Sequence, residues 1–255
     1  MNILVTGYNG FLGKNLCLHL HSLVNCKLIL ANKENFEEVL DKNASKIDYV
    51  FHLAGENRSI EGQNFINNNV LNTKYLTKKL QSKKNNCPIV FTSSSQIINN
   101  SVYGKTKKEA EKILINHSKT NGSQVFILRL PNIFGKYARP QHNSIVASII
   151  YNLINHKKIE IWDGDKDLDL LYIDDVIYFL LLCIKNQKVK LSIRSNFITH
   201  KTNVNHIYKT IKSFHVDRKK PKFKLDFNDF ERELYSTYLS YLDIKECTFP
   251  LKSFA

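Results

Sequence analysis

The sequence predicts an α/β protein: a Rossmann-type, doubly wound parallel sheet with a small C-terminal substrate lobe. Apolar strand-length runs alternate with helix-length segments through the first 156 residues, as repeated βα units require. These runs are apolar on both faces, like strands covered by helices on either side. The first run leads straight into a turn spaced Gly7, Gly10, Gly13.

The opening strand, "NILVTG", is followed by an amphipathic stretch over 11–24. In the turn between them, one glycine lets the chain reverse tightly and a second lets a pyrophosphate approach the backbone. The third lets helix and strand pack closely while the helix N-terminus faces the anion. The spacing G-x-x-G-x-x-G is one residue longer at its start than the G-x-G-x-x-G fingerprint, and a plain surface loop is the competing reading. The strand–turn–helix context favours dinucleotide binding by Gly7, Gly10 and Gly13, with Asn9, Phe11 and Leu12 in the same turn.

The second strand, "KLILAN", precedes a helix over 34–45. Sites for NAD usually carry Asp or Glu at the end of this strand, about 20 residues beyond the glycine turn, to accept from the ribose 2′-hydroxyl. Here Asn32 and Lys33 hold the turn, and Glu34 comes one position late. A carboxylate would repel a 2′-phosphate and a lysine would attract it. NADP(H) is therefore the expected cofactor, with Lys33 on its 2′-phosphate, and NAD(H) is the alternative.

The third strand, "YVFHLAG", leads to a helix over 64–82, with His52 read as a strand-end packing residue rather than a catalytic group. The fourth, "PIVFTSSS", precedes a helix over 103–121 that opens "YGKTK". Tyr103 and Lys107 are four apart and share a helix face, so the ammonium can sit beside the phenol. A neighbouring cation favours phenolate and draws a group that normally titrates near ~10 toward working pH. There it can exchange a proton with a carbonyl or an alcohol. A hydroxyl at the end of "FTSSSQ" could hold the substrate oxygen against the tyrosine. Tyr-x-x-x-Lys alone is also what an exposed helix with an incidental tyrosine would show, but behind a glycine turn and a serine cluster it reads as catalytic.

The fifth run, "QVFILRLPNIFG", is expected as a strand ahead of a helix over 144–156. Asn132, Lys136, Arg139 and Asn143 follow in "RLPNIFGKYARPQHNS". Open α/β sheets bind ligands beyond the carboxyl ends of their strands, so this loop is the expected substrate site, with a plain connector as the alternative. Shorter pieces after 157, including "IEIWDGD" and "LLYIDDVIYFLLLCI", suggest the smaller lobe. One domain over 1–255 is expected, with about 1–156 mainly cofactor-binding and about 157–255 mainly the substrate lobe. Asp174 and Asp175 read as caps that anchor the lobe, and Trp162 and the aromatic tail as core or interface.

Composition narrows the function classes. With 43% hydrophobic and 24% charged residues the chain is that of an ordered globular enzyme. The net charge of +14 is mostly lysine spread among asparagine and isoleucine, a solvated surface rather than a nucleic-acid stripe, so no nucleic-acid partner is expected. Cys17, Cys26, Cys87, Cys183 and Cys247 are odd in number and scattered, which supports neither a disulfide framework nor a metal site. The longest apolar runs fall short of the ~20 residues of a membrane span, and no signal peptide precedes "ILVTG". Cytoplasmic localisation without a membrane partner is expected, and a homodimer is compatible with the sequence.

In their order along the chain, "TGYNGFLG", "HLAG", "FTSSS", "YGKTK" and "LYIDDV" resemble the extended short-chain dehydrogenase/reductase family. That resemblance implies that Gly7, Gly10 and Gly13 bind the cofactor pyrophosphate and that Leu53, Ala54 and Gly55 line the nucleotide. It makes Ser94, flanked by Ser93 and Ser95, the hydroxyl that polarises the substrate carbonyl, with Ser95 also at the substrate. Tyr103 becomes the proton donor, and Lys107 both lowers the tyrosine pKa and binds the nicotinamide ribose. Asn69, in "NNNVLNT", matches a family asparagine behind the site.

A closer likeness lies in "HLAGENR", "RLPNIFGKYARPQHNSIVA" and "ERELYSTYLSYL", which look like the reductase domain of UDP-2-acetamido-2,6-dideoxy-L-hexulose reductases of capsule and O-antigen synthesis. In that family a cupin domain commonly follows, and "TFPLKSFA" lies about where it would begin, so only the reductase activity is carried over. Two departures bear on the reading. Leu168 stands where some relatives have a diphosphate-binding arginine, which leaves Lys136 or Arg139 to supply that charge. Ser94-Ser95-Gln96 replaces the Asp-Glu pair of dehydratase relatives, so water elimination lacks its acid and base. The expected function is NADPH-dependent reduction of the C4 carbonyl of a UDP-linked 4-keto-6-deoxy-(acetamido) sugar. The alternatives are a nucleotide-sugar 4-epimerase with tightly bound NAD and a non-catalytic NADP-binding sensor.

Overall fold

A computed structural model describes residues 1–22, 25–55, 66–142, 144–161, 163–185, 189–218 and 226–243. In chain order the first elements are β1 (Asn2–Thr6), α1 (Phe11–His21), β2 (Lys27–Ala31), α2 (Phe36–Asn43) and β3 (Tyr49–His52). A π-helix (Ile66–Leu71) runs into α3 (Asn72–Ser82), followed by β4 (Ile89–Ser94), a 3₁₀ turn (Ser95–Ile98), α4 (Val102–Asn121) and β5 (Val125–Leu130). Then come β6 (Asn132–Phe134), α5 (Ile145–Ile154), β7 (Asp167–Tyr172), α6 (Ile173–Lys185), β8 (Leu191–Arg194), β9 (His200–Asn203), α7 (Val204–Asp217) and α8 (Asp229–Leu239).

The chain forms two compact units, one of Met1–Pro131 with Asp174–Phe197 and one of Asn132–Ile173 with Ile198–Ala255. It therefore passes between them after Pro131, Ile173 and Phe197, where the sequence suggested a single division near 156.

The first unit is the doubly wound sheet, in order β2-β1-β3-β4-β5-β8 and parallel throughout. From β1 the order runs one way to β2 and the other way to β3, so the carboxyl ends of β1 and β3 flank a topological switch point, where such sheets bind ligands. On one face Leu4, Val50, Ile89, Phe91, Val125 and Ile127 pack against Leu40, Leu76, Leu80, Ala110 and Leu114, all buried. Each such side chain contributes roughly 1.5–3 kcal/mol by leaving water. The helix expected over 103–121 is α4. Ser101 caps it, accepting the Gly104 N–H at 3.1 Å, and Gly122, left-handed at φ 74°, stops it.

The second unit holds a three-stranded sheet, β6-β7-β9, in which β6 and β7 are parallel and β7 and β9 antiparallel. Phe134 and Leu170 pack there with Ile149, Ile150, Ile207, Ile211, Phe214, Phe230 and Leu234. The run "QVFILRLPNIFG", expected as one strand, is two strands in two different sheets. Pro131 between them has no N–H to give to a ladder, so pairing stops there. The helix expected over 64–82 contains the π-helix ahead of α3. Trp162 and Cys247 lie outside the described residues.

Candidate active site

The glycine turn is tight enough to exclude side chains. Gly7 has φ 71° and donates its N–H to the Ala31 carbonyl at 2.8 Å, which fastens the turn to the end of β2. A Cβ at Gly13 would lie 2.2 Å from the Gly7 carbonyl oxygen, and one at Gly7 would lie 2.9 Å from the Ala54 backbone. The N-cap of α1 is Gly10, with no side-chain cap and no acidic residue in the first turn. The α1 amides are thus left for an anion, and the helix dipole favours one there. Asn9 is exposed beside them, and Phe11 and Leu12 are partly buried.

At the end of β2, Asn32 Oδ1 accepts the Glu34 and Asn35 N–H groups at 3.0 and 3.1 Å, and Asn35 Oδ1 accepts the Asn32 N–H at 2.8 Å. This side-chain-built turn presents Lys33 to solvent. After β3, a Cβ at Gly55 would come within 2.8 Å of both Asn69 Oδ1 and Lys107 Nζ. The Leu53–Gly55 segment, Asn69 and Lys107 therefore converge on one point.

Of the residues expected to transfer a proton, Ser94 ends β4, and Tyr103 and Lys107 lie in the first two turns of α4. Ser94 is buried, accepts the Gln96 N–H at 3.1 Å, and its hydroxyl acts on the Tyr103 phenol to lower its pKa. Ser95, one residue on, is exposed. Burial holds the Tyr103 phenol above its ordinary pKa, with the Ser94 hydrogen bond pulling the other way. This differs from the expectation that Lys107 lowers the phenol. The Lys107 ammonium is committed elsewhere, donating to the Thr92 carbonyl at 2.9 Å and lying 4.7 Å over the Phe91 ring. Burial brings Lys107 down to about 8, and Glu111 opposes that shift.

A buried hydrogen-bond chain stands behind these groups, and it makes His52 more than a packing residue. The Ala54 N–H donates to Thr6 Oγ1 at 3.1 Å, and Thr6 Oγ1 meets His52 Nδ1 at 2.8 Å. His52 Nε2 meets Thr73 Oγ1 at 2.9 Å, and Thr73 donates to the Asn69 carbonyl at 2.8 Å. Because the Thr73 proton is used on that carbonyl, its oxygen must accept from His52. This assigns the proton to Nε2 and makes Nδ1 an acceptor for Thr6. A neutral ring fits this arrangement, and burial, followed by the charge of Lys107, lowers His52 to about 3. The Asn69 side chain donates to Thr106 at 3.1 Å.

The expected substrate loop after Pro131 belongs to the second unit, whereas Ser94 and Ser95 belong to the first. Asn132 is exposed at the start of β6, and Lys136 and Arg139 follow in the next turn, where Tyr137 and Gln141 have φ of 68° and 59°. Tyr241 donates its hydroxyl to the Ala138 carbonyl and fixes this turn within its unit. Asn143 lies outside the described residues. Asp174 and Asp175 occupy the first turn of α6, and Leu168 lies in β7. Sequence reasoning missed Thr6, Thr73 and Arg129 altogether, because nothing local marks which distant residues will meet. Glu111 had a readable signal, four residues beyond Lys107 on the same helix.

Residues 3–193 match the NAD dependent epimerase/dehydratase family. The UDP-2-acetamido-2,6-beta-L-arabino-hexul-4-ose reductase of Pseudomonas aeruginosa is 33% identical over 245 residues, 95% of this chain and 65% of that protein. The chain thus spans just under two thirds of the length of that relative. The solved structure of the capsular polysaccharide assembling protein CapF from Staphylococcus aureus superposes with a TM-score of 0.83 at 30% identity, covering 98% of this chain and 68% of CapF. The UDP-glucose 4-epimerase of Thermotoga maritima, solved with UDP-glucose, shares the fold at a TM-score of 0.79 and 21% identity, covering 94% of this chain and 98% of that one.

Proposed function

Because the chain belongs to the NAD dependent epimerase/dehydratase family, we propose that it reduces the C4 carbonyl of a UDP-linked 4-keto-6-deoxy-(acetamido) sugar with NADPH, in bacterial surface polysaccharide synthesis. The observation that carries this reading is the Ser94–Tyr103 pairing at the end of β4, with Lys107 buried one helical turn away. The likeness to a hexul-4-ose reductase over 95% of this chain supports the substrate class.

The glycine turn fits a dinucleotide, since its Cβ-free cradle and uncapped helix end suit a pyrophosphate. When bound, the cofactor supplies the hydride. Tyr103, kept protonated by burial, hands its proton to the sugar O4. Ser94 holds that oxygen as negative charge develops on it, where a preorganised donor is most effective. Lys107, seated on the Thr92 carbonyl, would hold the nicotinamide ribose. Lys33 takes the 2′-phosphate, and Asn132, Lys136, Arg139 and Asn143 take the sugar nucleotide. Ser95 and Gln96, where dehydratases carry a carboxylate pair, disfavour water elimination. The test is to offer NADPH with UDP- and dTDP-4-keto-6-deoxy sugars and follow nicotinamide absorbance. Oxidation confined to a UDP-amino sugar supports the reading, and no oxidation with any sugar of the panel contradicts it.

The likeness to a UDP-glucose 4-epimerase fold keeps a second reading in play. Epimerases retain their cofactor through the cycle, so one equivalent of NAD bound to the purified protein would favour that reading.

A further inference from the structure

We propose that Glu111, clamped by Arg129, is a positioning residue of the proton-transfer site, whose buried carboxylate keeps Lys107 charged and its ammonium seated on the Thr92 carbonyl. The inference rests on the reading that Tyr103 and Lys107 carry out the chemistry. Helix α4 spaces Tyr103, Lys107 and Glu111 four residues apart, which puts them on one face in sequence. The Glu111 side chain is only 3% exposed, yet it is ionically paired. Arg129 Nε donates to its two oxygens at 3.0 and 3.3 Å, and Nη2 donates to Oε2 at 2.7 Å. Arg129 sits on β5 opposite Ser93 of β4, so the clamp ties α4 to the strand beside the one that ends in Ser94.

A buried ion pair of this kind is often no more stabilising than a hydrophobic pair of the same size, so fold stability alone does not account for it. The surroundings of Lys107 suggest what does. From β4 it meets the Phe91 ring and the Thr92 carbonyl, and from its own helix it feels the charge of Glu111, with Tyr103 one turn before it. Asn69 Oδ1 shares the Gly55 approach with it, and His52 of β3, which feels its charge, is held neutral. Among these groups Glu111 carries the formal negative charge. Burial lowers the Lys107 ammonium to about 8, and Glu111 acts against that shift. Arg129 orients the carboxylate and is itself partly solvated, at 30% side-chain exposure, so its own charge is better screened than that of Glu111.

The test is a ¹³C NMR titration of ε-¹³C-lysine protein without cofactor, with the Lys107 signal identified by its loss in Lys107→Met. Glu111→Gln is expected to move the Lys107 midpoint about 1–2 pH units to the acid side, the effect of one charge at ~6 Å in a medium of effective dielectric ~20. In wild type and variant alike, the alkaline limb of the kcat/KM–pH profile should follow the midpoint. Arg129→Gln, which keeps the carboxylate and removes the clamp, is expected to leave the midpoint in place or move it toward alkali while lowering Tm by a similar amount. Equal acid shifts in both variants would mean a packing role and overturn the proposal, as would an unmoved midpoint in folded Glu111→Gln. If Glu111→Gln does not fold, Glu111→Asp should give a smaller acid shift, and no shift in that folded variant counts against the proposal. Failure of the underlying reading is seen separately, as wild-type turnover in Tyr103→Phe whatever the titration shows.

Discussion

The Lys107 ammonium donates to the Thr92 carbonyl at 2.9 Å, two residues before Ser94, whose hydroxyl lowers the pKa of the Tyr103 phenol against its burial. One strand thus acts on both the cation and the phenol through neighbouring positions. It acts on the cation through backbone and on the phenol through a side chain, so the two can be perturbed independently.

Replacing Tyr103 with phenylalanine removes the proposed proton donor and leaves the glycine turn untouched. Turnover is expected to fall by ~10²–10⁴, the range for losing a positioned acid or base, with NADPH affinity within a few-fold of wild type. Stopped-flow turnover and fluorescence titration of NADPH check the two halves.

Cofactor preference tests Lys33. Its side chain is exposed at a turn that carries no acidic residue at Asn32, and a charge-assisted hydrogen bond to phosphate contributes roughly 1.5–3 kcal/mol. Lys33→Ala is expected to lower kcat/KM for NADPH by roughly ten- to a hundredfold and to leave that for NADH unchanged. Equal use of both cofactors by the wild type would remove Lys33 from the account.

Two glycine substitutions should separate site from scaffold. A Cβ at Gly13 would meet the Gly7 carbonyl oxygen at 2.2 Å, whereas one at Gly122 meets nothing within 4 Å. Gly13→Ala should therefore deform the turn and weaken NADPH binding at least tenfold. Gly122→Ala, at φ 74°, should cost about 1 kcal/mol of stability from backbone strain alone, with binding unchanged. Isothermal titration and urea unfolding report the two effects.

The His52 network predicts a pH dependence of stability. The folded-state pKa is depressed to about 3, below the ~6.5 of the unfolded chain. The unfolded state therefore binds a proton that the folded state refuses. Stability from this group is full above about 6.5 and is lost as pH falls toward 3, at up to ~1.4 kcal/mol per pH unit. Urea unfolding at pH 7 and 5 should show that loss in wild type and a flatter response in His52→Gln. The variant should also be less stable at pH 7 by about 1–3 kcal/mol, because a buried partner is left unpaired.

The fold and the helix that carries both Tyr103 and Lys107 were legible because their signals are local. Strand–turn–helix periodicity and the glycine spacing predict the first unit, and the four-residue spacing predicts that Tyr103 and Lys107 share α4. What could not be read depends on distant partners. The direction of the Tyr103 pKa turns on how deeply the phenol is buried, the Lys107 partner is a backbone carbonyl with no sequence signature, and Thr6, His52 and Thr73 meet only through the pairing of β1 with β3 and the packing of α3. The split at Pro131 was written in the sequence, as a proline inside a predicted strand. The apolar run across it masked that signal.

With reduction confined to C4, incubation in deuterated water with the 4-keto sugar and no NADPH should leave the C3 and C5 protons in place. Exchange at either carbon at a rate comparable to turnover would reveal an additional base aimed at the ring and a built-in epimerase.

The most direct measurement of the central claim is NMR of the sugar product formed with NADPH deuterated at nicotinamide C4, on the face that transfers. The account predicts one deuterium, at C4 of a single 4-hydroxy sugar, formed in step with cofactor oxidation. An unlabelled product, or sugar interconversion with no net consumption of NADPH, would contradict it.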